Sequence, residues 1–126
     1  MTNTTDTIMK MDAAWNSKDE VAMRSCLHED YHFKGPMMEI NGPDESIAMM
    51  QNFPFECRNE NEELIVQDNK AVHIFDWVVT SPFQATIPMT EVLELEGGKV
   101  KNARLFFDTA LFPAEAKAQM VSNKVA

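Results

Sequence analysis

The chain has 126 residues, 44% of them hydrophobic, with a formal net charge of −9 and a pI near 4.7. This length and apolar content suit one domain with its own core, and we expect a single domain over residues 1–126. The acidic balance and the scattered Lys and Arg residues argue against the basic patch that phosphate binding requires, so we expect no nucleic-acid partner.

The sequence shows no sign of export or of membrane insertion. The N-terminus lacks a basic start followed by an apolar core, and no apolar run approaches the length that spans a bilayer. We therefore expect a cytoplasmic protein with no membrane partner. Cys26 and Cys57 show no Cys-x-x-Cys spacing, which indicates free thiols rather than a disulfide framework or a zinc knuckle.

Two helices are predicted at the start of the chain. Ile8, Met11 and Trp15 recur at helical spacing, which predicts an amphipathic helix over residues 4–15 with its apolar stripe against the core. Ser17 then begins a Ser-x-x-Glu capping box, which predicts a short second helix to about residue 27.

Two short strands, residues 31–34 and 37–40, are predicted around a Gly-Pro turn. A third helix is expected to follow, because Pro43 and the acids after it favour a helix start, and Pro54 should end it.

The centre of the chain predicts a polar connector over residues 56–63 and strands at 64–66 and 71–80. The second strand is apolar on both sides, as expected for a strand covered on both faces. His73 and Asp76 lie on its opposite sides, so only one of them can face an interior pocket. A terminal helix is predicted from residue 113 to about 121.

The segment from Met89 to Asp108 predicts a hairpin around Gly97-Gly98. A two-residue loop sets Glu96 opposite Lys99, Leu95 opposite Val100 and Glu94 opposite Lys101, a register that pairs opposite charges.

Glu91 is unusual because it stands alone in an apolar row of the first hairpin strand. Desolvation there would disfavour the ionised carboxylate and suit Glu91 to acid/base chemistry. The two-residue turn, however, places Arg104 opposite Glu91, where an ion pair would make the carboxylate structural. A longer turn would instead bring Ala103, Leu105 and Phe107 to that face, so the register decides between the two interpretations.

His28-Glu29-Asp30-Tyr31-His32 matches the His-Glu-x-x-His zinc motif. The match falls where a helix is predicted to give way to a strand, so its two histidines would not share one helix face. We expect no metal site there. Nothing in the sequence indicates a phosphate-binding loop or a nucleophile elbow, and we expect no cofactor.

Several segments together resemble the nuclear transport factor 2-like superfamily, especially its SnoaL-like and ketosteroid isomerase-like members. They are Trp15-Asn16-Ser17-Lys18-Asp19, Leu27-His28-Glu29-Asp30-Tyr31, Gly42-Pro43, Glu91-Val92-Leu93-Glu94-Leu95 and Gly98-Lys99-Val100. The resemblance implies an α+β fold in which a cone-shaped, strongly curved antiparallel sheet carries the N-terminal helices over its concave face. It also implies a pocket for a small hydrophobic ligand and a homodimer.

The isomerase pattern transfers to this sequence only in part. Its general-base aspartate falls near Gly35 and its oxyanion-hole tyrosine near Met11, and neither residue can do that work. Its second acid, whose protonated form is a known example of a carboxyl kept neutral at pH 7, falls nearest Glu91.

The resemblance, together with the isolated carboxyl group of Glu91, implies a cofactor-independent acid/base enzyme of isomerase, cyclase or hydrolase type, acting on a small apolar carbonyl or epoxide ligand. Glu91 is the predicted acid/base group, assisted by Asp76 or His73, whichever faces the pocket. The predicted ligand contacts are Trp15, Phe33, Met50, Phe53, Arg104 and Phe107. The alternative is a non-catalytic module for small-molecule binding or dimerisation.

Overall fold

The computed structural model describes residues 3–114 and residue 116. The predicted α+β class is confirmed. The elements are α1 (Thr4–Ser17), α2 (Glu20–Cys26), β1 (Leu27–Lys34), β2 (Glu39–Asn41), α3 (Gly42–Gln51), β3 (Glu56–Gln67), β4 (Lys70–Ser81), β5 (Ala85–Glu96), β6 (Lys99–Phe106) and a 3₁₀ turn (Thr109–Leu111). Most of the predicted terminal helix, residues 113–121, lies outside the described residues.

The six strands form one sheet in the order β2-β1-β6-β5-β4-β3. Neighbours pair antiparallel except β1 and β6, which run parallel, so the sheet is mixed rather than wholly antiparallel as predicted. The three helices contact its strands, and the core lies between the helices and the inner face of the sheet. No helix in the described part of the chain is both long and apolar enough to cross a membrane.

The second helix forms as predicted, but its cap is not Ser17. Ser17 belongs to the last turn of α1, where its hydroxyl donates to the Ala13 carbonyl at 3.0 Å. Asp19 caps α2 instead, and its carboxylate accepts a hydrogen bond from the Ala22 N–H at 3.1 Å. The helix break falls at Lys18, whose φ of 55° is left-handed and ends α1.

The predicted polar connector over residues 56–63 is wrong, because these residues form the first two thirds of β3. An edge strand tolerates charged side chains, since one of its sides has no neighbouring strand. Asn61 and Glu62 form a bulge in which two residues lie opposite Phe75, and the Asn61 φ is 53°.

A second bulge sets the register of the β5–β6 hairpin. Beside the turn, Glu96 pairs with Lys99 and Leu95 with Val100, as predicted. Lys101 is then the extra residue, so Glu94 lies opposite Asn102 rather than opposite Lys101.

Beyond that bulge, Leu105 lies opposite Glu91 and Arg104 lies opposite Val92. The predicted pairing of Arg104 with Glu91 is therefore wrong. A two-residue turn followed by a bulge therefore places Ala103 and Leu105 on the same face as Glu91, which we had expected only from a longer turn.

The strand β4 is buried on one face only. His73, Phe75, Trp77 and Val79 are buried against the inside, whereas Val72, Ile74, Asp76 and Val78 on the other face are only partly covered. The prediction of a strand covered on both faces holds for the inner face alone.

Candidate functional site

A cavity of about 210 Å³ lies between the three helices and the inner face of the sheet. Its walls are mainly apolar and aromatic, and such walls with a few polar groups are typical of small-molecule sites. The lining includes the rings of Trp15, Tyr31, Phe33, Phe53, Phe75, Trp77, Phe107 and Phe112 and the thioethers of Met11, Met23, Met37, Met38, Met49 and Met89.

Four of the six predicted ligand contacts line this cavity: Trp15, Phe33, Phe53 and Phe107. Met50 does not, because it is 1% exposed and packs in the core, while its neighbour Met49 reaches the cavity wall. Arg104 does not either, because the β6 bulge turns it outward, where its guanidinium lies 5.9 Å from the Phe106 ring centroid.

Glu91 lines the cavity from β5, with His73 opposite it on β4 and Leu105 opposite it on β6. Within the described residues, its carboxyl group has no hydrogen bond and no ion pair. Burial among apolar groups raises the pKa of Glu91 to about 7, and the negative charge of Asp12 contributes to the rise. A substantial fraction of Glu91 is therefore protonated at neutral pH.

Asp12 is the second carboxyl group of the cavity, and the sequence analysis missed it. It lies on α1, four residues after Ile8 and three before Trp15, within the stripe that we had interpreted only as apolar. An acid in an apolar helical stripe is the same signal that singled out Glu91 on β5. Burial raises the pKa of Asp12, His73 opposes that rise, and Glu62 adds to it.

His73 faces the helices and is 4% exposed. Its Nε2 atom lies 3.0 Å from Glu62 Oε1, and the β3 bulge brings Glu62 to this position. One ligand atom from each of Asp12, Glu62 and His73 lies within 4.8 Å of the others. These are donor types that could hold a divalent cation. The imidazole already has a hydrogen-bond partner in Glu62, so we interpret the group as a polar network beside the cavity.

Asp76 lies on the outer face of β4, away from the cavity. Its Oδ2 atom accepts a hydrogen bond from Asn61 Nδ2 at 2.8 Å. The sequence left open whether His73 or Asp76 faces inward, and the structure places His73 there. The prediction that Asp76 assists Glu91 is therefore wrong, because Asp76 points away from the cavity. The second carboxyl group in the cavity lining is that of Asp12.

Tyr31 is a further polar group at the cavity that the sequence analysis did not select. It lies on β1, is buried and lines the cavity. Burial, followed by the nearby charge of Glu91, raises the pKa of its phenol, so the hydroxyl keeps its proton at neutral pH. A protonated phenol near Glu91 is a second potential hydrogen-bond donor to a ligand oxygen.

The two histidines of the His-Glu-x-x-His match lie apart from the cavity chemistry. Both belong to the strand β1, and each has a different acidic partner. His28 Nε2 lies 2.9 Å from Glu96 Oε2, and His32 Nε2 lies 2.5 Å from Glu39 Oε2. In the zinc-binding motif the two histidines lie on the same face of a helix, and the strand β1 does not place them in that way.

A model of the SnoaL-like domain matches residues 9–103 of the chain. No curated protein matches it. Solved structures do resemble it. An NTF2-like protein of unknown function from Burkholderia pseudomallei is 22% identical, with a TM-score of 0.76 and 100% of each chain covered.

Two other similar structures are of proteins whose names indicate a reaction. A proposed ketosteroid isomerase from Kribbella flavida is 18% identical, with a TM-score of 0.75, covering 87% of this chain and 81% of that one. An LEH-like epoxide hydrolase from M. tuberculosis is 13% identical, with a TM-score of 0.71, covering 94% and 92%. At these identities the likeness shows a shared fold only. The reaction has to be inferred from the residues that line the cavity.

Proposed function

Because the chain belongs to the SnoaL-like domain family, we propose that its cavity is the active site of a cofactor-independent acid/base enzyme. The substrate is a small, largely apolar molecule with a carbonyl or epoxide group. Glu91 and Asp12 are the catalytic carboxyl groups. The observation that carries the proposal is the presence of two carboxyl groups in one apolar cavity, without a basic side chain among its described lining residues.

The two carboxyl groups have different surroundings, which favours different roles. Glu91 lies among apolar groups and holds its proton up to about pH 7. Burial raises the pKa of Asp12 as well, but the neighbouring His73 opposes that rise and favours the ionised form, whereas Glu91 has no such opposing neighbour among the described residues. Pairs of titratable groups whose environments differ in this way divide into an acid and a base.

The proposed chemistry moves one proton through the pair. At a carbonyl, Glu91 donates its proton to the oxygen while Asp12 accepts a proton from the neighbouring carbon. At an epoxide, Glu91 donates to the ring oxygen while Asp12 accepts a proton from the attacking water. In both cases one proton leaves the pair and one returns to it, so the pair stays singly protonated and needs only an internal proton transfer before the next turnover.

A substrate screen tests the proposal, with small cyclic ketones and alkyl epoxides as the first compounds. We expect Glu91→Gln to reduce any turnover found by at least about a hundredfold, because general acid catalysis typically contributes that much. Glu94→Gln is the matched control, since Glu94 lies on the same strand but faces outward beside Lys70. Full turnover in Glu91→Gln would refute the assignment.

The alternative is a binding or dimerisation module, and the outer face of the sheet supports the dimer in either case. Val72, Ile74 and Val78 of β4 are only partly covered, and Phe106 on β6 is 50% exposed. These four side chains form an apolar part of the outer face, which is a candidate for burial against a second copy. We propose a homodimer through this face.

Sedimentation velocity tests the dimer. Ile74→Lys places a charge in the outer face, and we expect it to shift a dimer of the wild-type chain to monomers. Val21→Lys is the control, because Val21 is exposed on α2, away from the sheet. A wild-type monomer at micromolar concentration would contradict the proposal.

A further inference from the structure

The charged side chains among the described lining residues of the cavity are both acidic. They are Asp12 and Glu91, and no Lys, Arg or His of the described part of the chain joins them in the wall. Neither carboxyl group accepts a hydrogen bond from a described residue. Burying a carboxyl group without a partner is costly, and a bound cation would offset that cost for the ionised form.

A third acid extends this negative character to the surface. Glu62 lies within 4.8 Å of Asp12 through their closest ligand atoms, and its side chain is 47% exposed. Asp12 therefore lines the cavity and has a partly exposed acidic neighbour outside the cavity lining. The net charge of −9 on the whole chain adds a long-range attraction for cations.

Three aromatic rings line the same cavity as Asp12. Trp15 lies one helical turn after Asp12, and its ring centroid is 5.3 Å from that of Phe53. Phe53 in turn lies 6.1 Å from Trp77, and all three rings line the cavity. Aromatic faces beside a carboxylate are the usual surroundings of a bound ammonium group, because the face of each ring carries partial negative charge.

We infer that the ligand of this cavity is a small apolar molecule that carries a protonated amine. The ammonium group binds at Asp12 and the ring of Trp15, and the apolar part packs against Phe53 and Trp77. The inference rests on the proposed function in placing the ligand in the same cavity. One Asp12 oxygen binds the ammonium group, and the other stays available as the proton acceptor of the proposed reaction, with Glu91 next to the reacting part of the molecule.

The charged groups around the proposed ammonium site determine how ligand binding is coupled to the release of protons. Glu62, His73 and Glu91 surround Asp12 from β3, β4 and β5, and Tyr31 lies beside Glu91 on β1. Binding of a cation favours the ionised forms of Asp12 and Glu91. Because burial and the charge of Asp12 raise the pKa of Glu91 to about 7, cation binding near neutral pH should release a proton from Glu91 to the buffer.

Isothermal titration calorimetry with benzylamine and benzyl alcohol tests the inference without requiring turnover. The two probes have nearly the same shape and differ in charge at pH 7. We expect benzylamine to bind the wild-type chain at least about tenfold more tightly than benzyl alcohol. Titrations in buffers of different ionisation enthalpy should show proton release for the amine and none for the alcohol.

Asp12→Asn should abolish the preference for the amine, and Asp76→Asn, on the outer face, should leave it intact. Thermal melting of both variants checks that they fold, and the proton release of the wild-type chain tests the inference even if Asp12→Asn does not fold. Equal or tighter binding of the alcohol would overturn the amine inference and leave the acid/base proposal for a neutral substrate. A preference that persists in folded Asp12→Asn, or no binding of either probe, would also overturn it.

Discussion

Asp12 on α1 and Glu91 on β5 face the same cavity, and the charge of Asp12 helps to raise the pKa of Glu91. Helix and sheet thus each contribute one carboxyl group to a largely apolar space. The two groups are far apart in sequence, and only the packing of α1 over the sheet brings them together. This relationship is the basis of the predictions that follow.

Asp12→Asn should lower the pKa of Glu91, because the substitution removes a negative charge that disfavours ionisation. The ¹³C chemical shift of the Glu91 carboxyl carbon, followed by NMR against pH, measures the change. Asp76→Asn is the control, since Asp76 is bonded to Asn61 on the outer face. A Glu91 midpoint that is the same in wild type and Asp12→Asn would show that the two carboxyl groups do not interact.

The stability of the fold should fall as pH rises through the pKa of Glu91. The folded state raises that pKa from 4.5 to about 7, so it binds more protons than the unfolded state between these values. The stabilisation from protonated Glu91 is complete below pH 4.5 and is lost as pH rises past about 7, a difference of about 3 kcal/mol at most.

Urea denaturation at pH 5 and pH 8 measures this loss, with Glu91→Gln as the comparison. Glutamine does not titrate, so the variant should lose less stability than the wild type over the same interval. If both lose the same amount, Glu91 does not have a raised pKa in the folded chain.

Replacing Leu105 by Lys should place a cation opposite Glu91 and lower its pKa, because these two residues are cross-strand partners. Arg104→Ala should leave the pKa of Glu91 unchanged, because Arg104 lies opposite Val92 on the outer face. NMR titration of Glu91 in both variants distinguishes the two registers of the hairpin. A Glu91 pKa that changes in Arg104→Ala but not in Leu105→Lys would instead support the ion pair between Glu91 and Arg104 that a regular two-residue hairpin predicts.

Phe53→Ala should destabilise the fold by about 3 kcal/mol or more, as is typical when a large aromatic side chain is removed from a packed cluster. Phe53 contacts the rings of Trp15, Phe55 and Trp77 with centroid separations of 5.3 to 6.1 Å. Phe106→Ala, at a position that is 50% exposed, should cost less than about 1 kcal/mol. Equal losses in urea denaturation would mean that Phe53 is not a structural wall of the cavity.

Much of the fold follows from local patterns in the sequence. The apolar stripe of α1, the apolar run of β4 and the two-glycine turn between β5 and β6 each predict their element correctly. What local patterns do not contain is the position of a bulge. The extra residue Lys101 reverses the facing of everything after it in β6, and neither its charge nor its neighbours signal this.

Of the three acidic residues at the site, only Glu91 was predicted from the sequence. Glu91 stood out because β5 alternates regularly up to the hairpin turn, so its inward direction could be predicted from sequence. Asp12 is likewise an acid within an apolar row, here the apolar stripe of α1. A helical stripe is wider than one face of a strand, and a polar residue at its edge is common, so Asp12 did not stand out. Glu62 was not predictable, because its position beside His73 depends on the Asn61 bulge in a strand that has no apolar alternation at that point.

The titration of Glu91 is the most direct test of the proposed acid/base site. In the ¹³C spectrum of the wild-type chain, the carboxyl resonance that disappears in Glu91→Gln identifies this residue. We predict a titration midpoint near pH 7. A midpoint at or below 4.5, the ordinary value for a glutamate, would show a solvated or ion-paired carboxylate and would contradict the proposed acid/base site.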